Sequence, residues 1–176
     1  MRRAYTVPTL VLLLVVAVGA CRSSAPETRT HLSRNASYGS FPAMARDAVA
    51  VVEVAVEGNG TTTTLGGLPF TVTEARVTEV LRGKLDSDTI RLRQPGSAQS
   101  SGGLVPEGEL VKAGERYVAF VVPFAFADGR PTGQHVVLGA WQGLYRVDGG
   151  ELVATDKVPS ALPKRLSRTS LHSALG

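Results

Sequence analysis

Apolar positions fall into two patterns along this 176-residue chain. Residues 7–20, "VPTLVLLLVVAVGA", form one run with hardly a polar position. Further on, apolar residues come in short bursts separated by clusters of Gly, Pro, Ser and Thr. "AVAVVEVAVE", residues 48–57, is small or β-branched except for two glutamates, and only Glu53 interrupts it. It predicts a strand buried over much of both faces. "FTVTEARVTEVLRG", Phe70 to Gly83, predicts a long strand with a bend or bulge near Glu74 to Val77. "DTIRLRQ" alternates, so Ile90 and Leu92 point one way and Arg91 and Arg93 the other. "ERYVAFVVP" predicts a second buried strand, ended by Pro123. "HVVLGA" adds a further strand, and "GLYRVDGGELVA" a hairpin turning at Asp148-Gly149-Gly150. The Gly- and Pro-rich stretches 58–69 and 95–108 predict loops, and "FADGRPTGQ" a turn.

No segment of the body sustains a helical period. Five to seven strands without a convincing helix must close a barrel or pack two sheets to hide their edges. The tail from Val158 holds two prolines and many serines, and its leucines 162, 166, 171 and 175 form no tight stripe. It is expected to be weakly helical or disordered. Residues 22 to about 44 are polar and rich in Ser, Thr and Arg, the composition of a flexible tether.

The first apolar run is short for a membrane span, which needs ~20 residues. A basic start at Arg2-Arg3, a short apolar stretch and small residues at its end are the pattern of a secretory signal peptide. The run ends at Cys21, the sole cysteine. Val18-Gly19-Ala20-Cys21 resembles the lipobox of bacterial lipoproteins. That resemblance implies a diacylglyceryl group on the Cys21 sulfur, cleavage before Cys21 and acylation of its amine. A lone cysteine cannot form an internal disulfide, and a free thiol in an oxidising compartment is reactive; lipidation removes that reactivity. Two or more acyl chains anchor a protein stably where one does not. The expected division is a signal peptide over 1–20, a tether over 21–46, a β-barrel domain over 47–156 and a basic tail over 157–176.

Charge changes the picture once the leader is set aside. The whole chain is +4, and losing Arg2 and Arg3 leaves +2. The body, 47–156, has nine basic and fourteen acidic residues, whereas both ends are basic. An acidic body argues against nucleic-acid binding, which calls for a basic face with interleaved aromatics. Basic ends beside a lipid anchor suit either solubility or anionic head groups.

The order of strands in 47–122, with Gly83, Gly114 and Tyr117, is similar to the netrin-like domains and tissue inhibitors of metalloproteinases. These are five-stranded oligonucleotide/oligosaccharide-binding (OB) barrels. The resemblance implies a small closed or partly open five-stranded OB-like barrel with extra C-terminal strands; a β-sandwich is the alternative. The inhibitory mechanism does not carry over, because Cys21 has no partner cysteine and lies far from the first strand.

Catalytic patterns were sought and none stands out. There is no Gly-x-Ser-x-Gly elbow, and serines 97, 100 and 101 sit in a Gly-rich stretch. His31, His135 and His172 are scattered and suggest no zinc site. Glu107 with Glu109, or Asp86 with Asp88, read as solvated turn acids. Trp141, Tyr145 and Arg146 in "AWQGLYRV" are the best binding candidates, since these residue types dominate contact hot spots. A lone Trp beside a strand is more often core or a barrel-end plug, and that structural reading comes first. No catalytic residue, metal or cofactor is assigned. The expectation is a non-enzymatic lipoprotein, held outside the cytoplasmic membrane by lipidated Cys21, that binds a protein partner or an envelope component. The alternative is a cell-envelope hydrolase acting on peptidoglycan or glycan.

Overall fold

A computed structural model describes residues 37–97, 108–157 and 160–176. The expected signal peptide, Cys21 and most of the expected tether lie outside these residues.

The strands form one nine-stranded sheet rather than two. β1 (Ala50–Val56) lies between β3 (Leu68–Gly83) and β5 (Arg116–Ala125). β3 pairs with β4 (Thr89–Pro95), and β5 with β6 (Pro131–Val137). A parallel contact of β4 with β6, Leu92 to His135 and Arg93 to Val136, brings the path round to its start. Five strands thus make a ring with a narrow seam, partly closed and not a true barrel. The fold is all-β, with β7 (Leu144–Asp148), β8 (Glu151–Ala154) and β9 (Arg165–Ser167) added in sequence beyond the ring.

β1 and β5 are apolar at both parities because both of their faces are covered. Val52, Val54, Tyr117, Ala119 and Val121 point into the ring with Ile90 and Leu92. Val51, Val118 and Phe120 point outward into a second core with Phe41, Met44, Tyr145, Leu152, Leu171 and Leu175. Glu53 belongs to that outward row and is 2 % exposed. Two bulges, between Val51/Val52 and Glu53/Val54, shift the β1–β3 register. They lie opposite residues 77–82, just beyond the bend expected near Glu74 to Val77. Glu53 then stands opposite Glu79, and like charges so placed repel. Arg168 bridges the two, 2.6 Å from Glu53 Oε2 and 2.9 Å from Glu79 Oε2, and Arg116 meets Glu53 Oε1 at 3.1 Å.

Both ends of the described chain close the outer core, which corrects two boundaries. The expected tether reaches 46, yet Phe41–Asp47 is a helix, α1, capped by Ser40, whose hydroxyl accepts the Ala43 N–H. Phe41, Met44 and Ala45 recur at helical spacing and are buried. The tail, expected as weakly helical or disordered, is ordered: it forms β9 and a helix, α2 (Arg168–Leu175), capped by Ser167. Leu171 and Leu175, one turn apart, enter the core. Arg82 Nη1 donates to the carbonyl of Leu175 and satisfies one of the helix's terminal acceptors. Buried Gln142 joins the two ends: its Oε1 accepts the Tyr38 N–H at 3.0 Å and its Nε2 donates to Ser160 Oγ at 2.8 Å.

A third correction concerns 58–69, expected as loop. Thr61–Leu65 is a strand, β2, forming a hairpin with the start of β3. Gly66 and Gly67, at φ of 58° and 79°, make the two-residue turn that needs left-handed backbone twice.

Candidate binding surface

Of the three residues singled out by type, two are core. Trp141 is 1 % exposed and plugs the ring. A Cβ at Gly108 would come within 2.2 Å of its ring, so glycine is what lets the chain cross there. Tyr145 is also 1 % exposed, but in the outer core, with its hydroxyl donating to the carbonyl of Pro163 at 3.0 Å. Burial raises the pKa of both Tyr145 and Tyr117 well above the usual phenol value. Arg146 is half-buried, 3.7 Å from Glu115 and 3.9 Å from Asp148. The three do not form one surface, and Trp141 and Tyr145 are unavailable to a ligand.

A different cluster occupies the outer face of β3, β4, β5 and β6. Alternation along β4 sends Ile90 and Leu92 inward and Arg91 and Arg93 outward, as expected. Arg93 is nevertheless only 5 % exposed. Its guanidinium lies 4.4 Å from the ring centroid of Phe70 and 4.6 Å from that of Phe124, between two aromatic faces. Nη1 donates to Gln134 Oε1 at 2.9 Å, and buried Nε has no hydrogen-bond partner among the described residues. Burial lowers the Arg93 pKa from its ordinary value, though a guanidinium stays charged. Phe124 meets Phe126 edge-on at 5.9 Å, and Arg130 lies 5.2 Å above Phe126. The Arg130 backbone N–H, donating to Asp128 Oδ1 at 3.0 Å, and its guanidinium, 2.7 Å from Oδ2, keep the Asp128 carboxyl below its usual range. Arg91 stands beside Arg93, donating to the Thr132 carbonyl at 2.8 Å. The result is a ladder of alternating rings and guanidiniums suited to gripping a partner through flat apolar faces and directed donors.

Hollows lie elsewhere, one of about 420 Å³ beside the β3–β4 turn at Val77, Val80, Leu85 and Asp88. Another of about 270 Å³ sits under α2 between Leu81, Val118, Leu152 and Leu171. A larger one of about 580 Å³ opens between the β2–β3 hairpin and the stretch Gly108–Lys112.

The remaining candidates stay apart. His135, in the ring wall, is half-buried; desolvation lowers its pKa, and Nδ1 has no hydrogen-bond partner among the described residues. His172 is exposed on α2, and Asp86 and Asp88 are exposed in the β3–β4 turn. His31, Glu107, Ser100 and Ser101 lie outside the described residues. Among the described residues no three His, Cys, Asp or Glu side chains come together as metal ligands. No known family model matches the chain, and a search of curated proteins finds no significant relative.

Proposed function

We propose that the protein is a bacterial envelope lipoprotein, anchored through lipidated Cys21, whose β-ring binds a protein partner or an envelope component. The leader, the short apolar run and Val18-Gly19-Ala20-Cys21 support the anchor. The folded body begins by Tyr38, so residues 22–37 set the reach, at most about 60 Å at ~3.5 Å per residue.

The observation that carries the binding role is Arg93, desolvated between Phe70 and Phe124, on a face that no helix covers among the described residues. Arg93, itself buried, fixes the half-buried rings of Phe70 and Phe124, so the face they form with Phe126 and Arg130 is ordered and a partner loses little by immobilising it. Cys21→Ser tests the anchor: the variant should leave the membrane fraction after a salt wash and lack the lipid mass. Retention on the membrane, or an unmodified Cys21 in the wild type, refutes it. Phe126→Ala with Arg130→Ala tests the face. Partner capture from intact membranes should fall while the melting temperature holds, and undiminished capture places binding elsewhere.

A further inference from the structure

Two strands, β2 and β9, are paired on one side only among the described residues. β9 is guarded as edges usually are: it has three residues, includes Arg165 and is flanked by Lys164 and Arg168. β2 has five residues, Thr61–Leu65, with no charge and no proline, and pairs with β3 without a register shift. The Gly66-Gly67 turn closes on the Leu65–Leu68 pair. Antiparallel alternation then turns the backbone N–H and C=O of Thr62 and Thr64 away from β3. Pro69, opposite Thr64, fits this register, since it has no N–H to give.

The start of that edge borders the larger hollow, which Asn59, Gly60 and Thr62 line. β4 runs along β3 from Phe70 to Arg76, so β2 and β1 share the other side of β3. Beyond β1 comes β5, and the stretch leading toward β5, Gly108–Lys112, faces β2 across the hollow. This far wall is held in place. Glu109 N–H donates to the Thr155 carbonyl at 3.0 Å, Val111 N–H to Gln94 Oε1 at 2.9 Å and Lys112 N–H to the Tyr117 hydroxyl at 3.2 Å. A five-residue strand is about 17 Å long, and strands lie ~4.8 Å apart. The hollow, about 580 Å³, is a slot between Asn59, Gly60 and Thr62 on one side and Gly108–Lys112 on the other, so a strand paired on β2 would enter it at the Thr62 end. Lys112 and Lys157 line it against one acid, Glu109, which is 3.6 Å from Lys112.

We infer that this slot is a strand-addition site, which takes an extended peptide segment of a partner protein, pairs its backbone with Thr62 and Thr64, and favours an acidic residue beside Lys112 and Lys157. The edge supplies affinity through main-chain hydrogen bonds, and the lysines select among sequences. The site is separate from the arginine–phenylalanine face and stands or falls independently of it.

The full chain in detergent, titrated with the synthetic peptide Glu-Thr-Val-Thr-Val-Thr, gives the test. Without peptide, the Thr62 and Thr64 amides should exchange with solvent freely; with it, exchange should slow at least tenfold. A peptide N-methylated at alternate residues keeps its side chains but loses donors, and should bind at least tenfold more weakly. Thr64→Pro is tolerable at an outward-facing edge N–H and should weaken binding similarly with the melting temperature unchanged. Lys112→Glu with Lys157→Glu should weaken it severalfold. Protected Thr62 and Thr64 amides in the protein alone would mean that the edge is already occupied. That result, absence of peptide binding, or equal binding of the N-methylated peptide, overturns the inference.

Discussion

The two outer faces of the ring are treated in opposite ways. Over β1 and β5, the outward residues Val51, Val118 and Phe120 are sealed by α1, α2 and the strands after β7. Over β4 and β6, the outward residues include Arg91, Arg93 and Gln134, and no helix lies on them among the described residues. On the first face, chain ends supply the apolar cover. On the second, phenylalanines from β3 and β5 fold around an arginine, and the rest meets solvent. One face is therefore a core closed by segments from both ends of the described chain, and the other is an open, ordered surface.

The sharpest way to break this contrast is a pair of truncations at neighbouring strand positions. Phe120→Ala removes a ring stacked on Phe41 at 5.8 Å and should cost about 3–5 kcal/mol. Phe124→Ala on the open face should cost about 1 kcal/mol, the scale of its contact with Arg93. Urea denaturation checks both, and equal losses would erase the distinction. Next in size, Leu171→Ala should cost about 2–5 kcal/mol although it lies in the last ten residues, because α2 completes a core. A loss within error would return the C-terminal segment to a loose tail.

A smaller effect sharpens the description of the open face. Arg93→Lys keeps the charge but loses the flat guanidinium between the rings, and should cost about 1 kcal/mol in stability. Smaller still is a pH effect at the ring wall. Burial lowers the folded-state pKa of His135 below its ordinary 6.5. The unfolded chain therefore takes up a proton first as pH falls, so stability is level above about 6.5 and declines below it. His135→Gln should flatten that part of the decline in urea midpoints between pH 7.5 and pH 5. An unaltered slope would show that His135 is solvated.

The ring strands were legible because their patterns are local. Unbroken β-branched residues in β1 and β5 mean two covered faces, and alternation in β4 means one. Glu53 looked like an interruption; it is a buried acid matched by Arg116 and Arg168 from distant segments. α1 is not legible and α2 only weakly so, because seven or eight residues carry too little period to announce a helix, and their stability comes from packing. β2 was hidden by its glycines, although Gly66-Gly67 between two runs is itself a hairpin signal. Residue type nominates Trp141, Tyr145 and Arg146 together; Trp141 is core, as expected for a lone Trp beside a strand, and Tyr145 is buried as well, on the other side of the sheet. Phe70, Arg93 and Phe124 become neighbours only through the pairing of four strands, so no stretch of sequence displays them together.

Photo-crosslinking in intact membranes tests the contrast of faces most directly, with the reactive group placed at Phe126 on the open face or at Thr169 on the covered one. Position 126 should give a discrete, saturable adduct that weakens when Arg130→Ala is added, and position 169 should give none. An adduct from position 169 alone, or equal adducts from both that ignore Arg130→Ala, would contradict the assignment of the open face as the binding surface.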